Sequence, residues 1–167
     1  MNRKQVYNFL KVMMKDKSRA GLEVAYVDDL YGKPVLVATD GYILTAVYLG
    51  EEAKDYVGKR ISREAIEKWY KLADGKSRLT AESLQDLMED DAHNGWQPVG
   101  EYPKWQQLIP STDSAMQDMS MAFNADFVKV VQDLNNSQGV HIKLYGKLAP
   151  MVIDDEVSFS LIMPMKG

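Results

Sequence analysis

The 167-residue chain runs twice through the same order of elements, a helix and then three strands, and this doubled order constrains its fold more than any other feature. The first pass occupies residues 2–49. Its opening twenty residues read as an amphipathic helix, with Val6, Phe9, Leu10 and Met13 at the i, i+3, i+4, i+7 spacing of a buried stripe. Lys4, Asn8, Lys11 and Lys15 form the opposite, polar stripe, and Gly21 stops the helix. Three strands are then predicted: Leu22 to Asp28 alternates in apolar character, Val35 to Thr39 is a continuous run rich in β-branched residues, and Tyr42 to Leu49 alternates again. Asp29 to Gly32 turns the first pair, and Asp40-Gly41 reads as a two-residue connection that closes a tight hairpin. The second pass occupies 124–165. Asn124 is placed to cap a helix carrying Phe127, Val128, Val131 and Leu134, with Phe123 and Val128 as a hydrophobic staple. Strands follow at Val140 to Tyr145, Leu148 to Ile153 and Val157 to Met163, separated by Gly146-Lys147 and by Asp154-Asp155-Glu156.

The middle of the chain differs. Within 58–80 a third helix is predicted, with Ser62 as cap, Ile61 and Ile66 as staple, an apolar face of Ile66, Trp69, Tyr70 and Ala73, and a stop at Asp74-Gly75. Residues 82–100 hold Glu82, Asp86, Glu89, Asp90 and Asp91 without a basic residue, then His93, Asn94, Gly95 and Pro98, and read as an exposed acidic connector. The expected architecture is therefore one α+β domain over 1–167. Two helix-plus-three-strand units with antiparallel sheets, at 1–50 and 119–167, flank a central helical insertion and connector at 51–118.

Composition removes several classes of function. The chain has no cysteine, which excludes disulfides, thiolate catalysis and every metal site built on thiolates. Only His93 and His141 supply imidazoles, no phosphate-binding glycine loop is legible, and no acid–base pair can be named. The expectation is a non-enzyme without catalytic residues, metal or cofactor. The acidic run 154–156 reads as a solvated turn rather than a cation site. No apolar run reaches the roughly 18 residues of a membrane span, and the basic N-terminus lacks the features of a signal peptide, so a soluble cytoplasmic protein is expected. The net charge of −4 hides a basic start, since residues 1–20 carry six basic side chains against Asp16 alone. That patch reads either as a polyanion contact or as a solvated helix face.

Three stretches carry more information. They are Val37-Ala38-Thr39-Asp40-Gly41-Tyr42-Ile43-Leu44, Glu101-Tyr102-Pro103-Lys104-Trp105-Gln106-Gln107-Leu108-Ile109-Pro110, and Leu161-Ile162-Met163-Pro164-Met165-Lys166. In this order they resemble the ATDG(H/R)RL hairpin, the (F/Y)PxYxxxLP connector and the MPM(R/K) C-terminus of the bacterial DNA polymerase III β subunit, the sliding clamp. The segment MAFNADFVKVVQDL further resembles the last helix of that family. The chain looks like the first unit of the middle clamp domain, plus the connector, joined to the last unit of the final domain. A phage or mobile element is a candidate source.

The resemblance implies a DNA-clamp-like fold and a pocket that receives clamp-interaction peptides of DNA polymerase or repair proteins. By position, Thr39, Gly41 and Leu44 would come from the hairpin, Pro103 and Leu108 from the connector, and Met163, Pro164 and Met165 from the last strand. Apolar side chains and flexible thioethers suit a Leu or Phe anchor. Tyr42-Ile43 and Gln107 depart from the family pattern, which implies altered client preference, whereas Lys166 keeps the terminal cation. The resemblance also implies sequence-independent contact of Lys4, Lys11 and Lys15 with duplex DNA, although Asp126 and Asp133 outweigh Lys129 on the second unit's helix. A homo-oligomer built by edge-strand pairing would act as a processivity factor. Two alternatives remain open at this stage: a nucleic-acid binder without a peptide pocket, stacking bases on Tyr42, Trp96 or Trp105, and a structural oligomer of clamp fold.

Overall fold

A computed structural model describes residues 1–15, 19, 21–110 and 121–165. The first helix, α1 (Arg3–Val12), opens on a capping box in which Asn2 Oδ1 accepts from Gln5 N at 2.9 Å and Gln5 Oε1 accepts from Asn2 N at 2.8 Å. It buries Val6, Phe9, Leu10 and Val12, and it ends where Met13 turns to an extended conformation. This is shorter than the twenty residues expected. Residues 16–18 and 20 lie outside the described residues, and Lys15 lies beyond the helix end.

Seven strands follow in one antiparallel sheet: β1 (Val24–Leu30), β2 (Lys33–Thr39), β3 (Ile43–Tyr48), β4 (Arg60–Ser62), β5 (Ile142–Lys143), β6 (Met151–Asp154) and β7 (Ser158–Ile162). Their spatial order is β4-β1-β2-β3-β7-β6-β5. The two units contribute to this one sheet. The seam is β3 against β7, running from Ile43↔Ile162 to Val47↔Ser158. Strand β5 is reduced to two residues of the six predicted.

Local chemistry explains the hairpins. Tyr31 and Gly32, with φ of 54° and 83°, make a two-residue turn between β1 and β2, and Asp29 Oδ1 accepts from Gly32 N. The β2–β3 connection is longer than expected, because β2 ends at Thr39 and β3 begins at Ile43, which leaves 40–42 between the strands. Asp40 Oδ1 accepts from the backbone N–H groups of Tyr42 and Ile43, and Gly41 supplies the positive φ of 92°.

The described residues hold three further α-helices: α2 (Arg63–Leu72), α3 (Ala81–His93) and α4 (Ala125–Asn135). Ser62 caps α2 as predicted, accepting from Ala65 N, and Asn124 caps α4 through Asp126 N. Helix α3 replaces the first part of the exposed connector expected at 82–100, whereas 94–100 are non-helical and largely exposed. Thr80 caps the helix, and Leu84 and Leu87 are buried beneath its acidic outer face. Asp91 is buried as well, its two carboxylate oxygens accepting from Ser62 N at 2.7 Å and Ser62 Oγ at 2.6 Å. Asn8, assigned to a solvated stripe by the sequence, is buried too, because α4 packs along α1. Its amide donates to Lys4 O and accepts from Lys11 Nζ.

Alternation along the strands gives the sheet two apolar faces. One carries Ala25, Val27, Leu36, Ala38, Ile43 and Ile162 and is covered by α1, α4 and the α2–α3 pair. The other carries Val24, Val35, Val37, Leu44, Phe159 and Leu161 and is covered by the connector, through Tyr102 and Trp105. No helix among the described residues is long and apolar enough to cross a membrane. The predicted boundary at 118–119 lies outside the described residues.

Candidate functional site: an apolar pocket beside the β2–β3 hairpin

At the tip of the β2–β3 hairpin, Thr39 Oγ1 donates to Ile43 O at 2.8 Å and accepts from Gly41 N at 3.0 Å. Past the end of β7, Met163 N donates to Tyr42 O at 2.9 Å and draws the last strand alongside the hairpin loop. The connector reaches the same spot through a short 3-10 turn, Trp105–Leu108. These three segments enclose a cavity of about 110 Å³.

Six of the residues expected at a pocket line this cavity: Thr39, Gly41, Leu44, Pro103, Leu108 and Met163. Pro164 is half-buried and Met165 is exposed, and neither contributes to the lining; Lys166 lies outside the described residues. Sequence reasoning missed Leu22, Tyr42, Ile43, Trp105 and Leu161 as lining residues. The signal for Leu161 lay in the register, since it pairs with Leu44 across the seam. Arg19 stands at the margin, its guanidinium 5.6 Å from the exposed Tyr42 ring.

The cavity wall offers shape rather than polarity. The Thr39 hydroxyl is engaged with the backbone, and the Trp105 indole N–H is given to Asp28 Oδ2. Whole ligands need pockets of about 300–1,000 Å³. This one fits a single anchoring side chain.

The basic residues lie on the helix layer. Lys4 Nζ sits 3.8 Å from Asp133 of α4, which Lys129 also approaches at 3.4 Å, so the α1–α4 surface is partly neutralised. Lys11 lies 4.4 Å over the Tyr7 ring. Charge concentrates instead in a cleft of about 480 Å³ lined by Asn2, Arg3, Lys4, Tyr7, Tyr70, Gly75 and Arg78, with no acidic side chain in its wall. Arg3 Nε donates to Tyr70 O, with the guanidinium 4.6 Å over the Tyr70 ring. Neither Arg3 nor Arg78 has an acidic partner within 4 Å among the described residues. Arg3 and Arg78 were not singled out from the sequence, because 75 positions separate them.

The acidic run 154–156 is structural. Asp155 Oδ1 accepts from Val157 N and Ser158 N to close the β6–β7 turn, and Asp154 pairs with Lys143. Burial and the neighbouring Asp154 push the Tyr48 hydroxyl up to about 12. Among the described residues no three His, Asp or Glu side chains converge as a metal site.

The same arrangement of helices over one sheet face recurs in the DNA polymerase sliding clamp of Pseudomonas aeruginosa, with a TM-score of 0.66 and 12% identity over 99% of this chain. The chain has the sliding-clamp fold. The DNA polymerase III β subunit of Borrelia burgdorferi matches with a TM-score of 0.67 and 13% identity over 99% of this chain, and the Helicobacter pylori β clamp with 0.65 and 12% over 99%. The match extends over 63%, 61% and 64% of those three clamps, respectively, so the chain spans less than two thirds of their length. At such identities the likeness to these clamps is one of fold. No family model matches the sequence, and no curated protein does.

Proposed function

We propose that the chain is a sliding-clamp-like protein whose apolar pocket holds the anchoring side chain of a short peptide from a replication or repair protein. The observation that carries this reading is the convergence of hairpin, connector and last strand on one cavity whose Thr39 hydroxyl and Trp105 indole N–H are engaged within the protein. A buried aliphatic or aromatic anchor dominates interfaces of this kind. No group transfer is required, and the protein acts by binding alone. Fluorescence anisotropy with the labelled clamp-binding peptide of a bacterial replicative polymerase tests it. Saturable binding supports the pocket, and absence of binding by the folded chain removes it.

Assembly decides the use of that pocket. A ring around duplex DNA would make the protein a polymerase processivity factor, and a monomer would act as a competitor for clients. Light scattering with and without DNA separates the two. A second reading, direct contact with nucleic-acid phosphates, draws support from the Arg3–Lys4–Arg78 cleft. It predicts retention of DNA that weakens steeply with salt.

A further inference from the structure

Among the described residues the connector that forms one wall of the pocket belongs to no strand, and its only regular element there is the four-residue turn Trp105–Leu108, whose capping position makes no side-chain hydrogen bond. Pro103 and Leu108, the two connector residues expected to meet a ligand, are exposed and lie on either side of the buried Trp105. Their placement depends on what holds the backbone between them. Tyr102 stacks on Tyr26 of β1 with ring centroids 4.9 Å apart, but its buried hydroxyl has no partner among the described residues, so it supplies packing without direction. Direction comes from Asp28, on the same strand. Its Oδ2 accepts from Trp105 Nε1 at 2.7 Å and from Gln106 Nε2 at 2.6 Å, while Oδ1 accepts from Asp29 N at 2.9 Å. No cation lies within 4 Å of this carboxylate among the described residues. Its charge is directed entirely at neutral N–H donors, two of them on consecutive connector residues.

We propose that Asp28 is the positioning residue of the pocket: it latches the connector to β1 and thereby fixes the wall that Pro103 and Leu108 present to the bound peptide. The inference rests on the peptide-pocket reading. Asp28 touches no ligand. It acts through the Trp105 indole, which both lines the cavity and carries one of the two connector bonds.

Asp28→Leu keeps the branched shape of the side chain and removes both acceptor oxygens from donors that need one. Peptide affinity is expected to fall about tenfold or more, chiefly through faster dissociation, and connector amides 104–109 should exchange hydrogen faster. The urea midpoint should stay near that of the wild type. Trp105→Phe, which keeps a ring and removes the indole donor, should produce a similar loss, and the double variant should lose less than the product of the two single effects. Wild-type binding with undiminished affinity in both variants overturns the latch and leaves the pocket reading intact. A lowered midpoint with unchanged affinity and unchanged exchange at 104–109 assigns Asp28 to stability alone and overturns it as well. A wild-type chain that binds no peptide overturns the pocket reading and this inference together.

Discussion

Thr45 Oγ1 and Ser160 Oγ lie 2.8 Å apart in the β3–β7 seam, between fully buried residues 115 positions apart in sequence. They are directly paired across the two strands, on the sheet face that the helices cover. Each hydroxyl is the other's partner. Thr45→Val strands the Ser160 hydroxyl in an apolar layer and should cost about 1–3 kcal/mol, whereas Thr45→Val combined with Ser160→Ala should cost less than the sum of the single changes. Urea unfolding of the three variants measures both quantities. Additive losses would mean that the bond contributes nothing to joining the two halves.

The pocket prediction depends on choosing a residue that can be changed without unfolding the chain. Leu44 is 4% exposed and sits in the middle of the sheet, so Leu44→Asp should simply unfold it. Leu108 is 47% exposed on the rim. Leu108→Asp should leave stability within about 0.5 kcal/mol of the wild type and weaken peptide binding by about 2 kcal/mol, roughly thirtyfold. Anisotropy titration beside a melting curve checks both halves.

For the basic cleft, Arg3→Glu and Arg78→Glu should each weaken any DNA retention and lower the slope of log affinity against log salt by about one. Lys15→Glu serves as a comparison outside the cleft. Filter binding across a salt series distinguishes the three variants, and equal effects from all of them would point to diffuse charge rather than a cleft.

Asp91 gives a pH dependence. Burial raises its pKa above the ordinary carboxylate value of 3.8, against the lowering effect of its two bonds from Ser62. The folded state therefore holds the proton more tightly than the unfolded state. The stability that this contributes is complete below pH 3.8 and is lost as pH rises through the raised value. Across that window the slope from this one group is at most about 1.4 kcal/mol per pH unit. Asp91→Asn should remove the component, so the stability difference between variant and wild type should change with pH over the window and level off at neutral pH. Chemical denaturation at a series of pH values tests it, and a constant difference would contradict the assignment.

Local signals located most elements. The capping residues Ser62 and Asn124 act within three residues of themselves, and Asp40 organises its own hairpin loop, so a short window of sequence contains the whole interaction. Helix α3 was legible in the same terms: Thr80 precedes Leu84, Leu87 and Met88 at helical spacing, but the acidic residues between them outweighed that pattern. The end of α1 was not legible, because its apolar stripe continues to Met13 after the backbone has left the helix.

The sequence by itself determined the α+β order, the hairpin, and six residues that meet at the pocket, because the three motifs carrying them could be read in place. Tertiary structure decided that the two units meet along β3 and β7 in one sheet, that Asn8 and Asp91 are buried, that Arg3 and Arg78 share a cleft, and that Asp28 takes hold of the connector. Each of these depends on groups tens of positions apart. Hydrophobic periodicity reports which side of an element is buried but not what covers it, and hydrogen-bond partners across the fold exist only once the chain has closed.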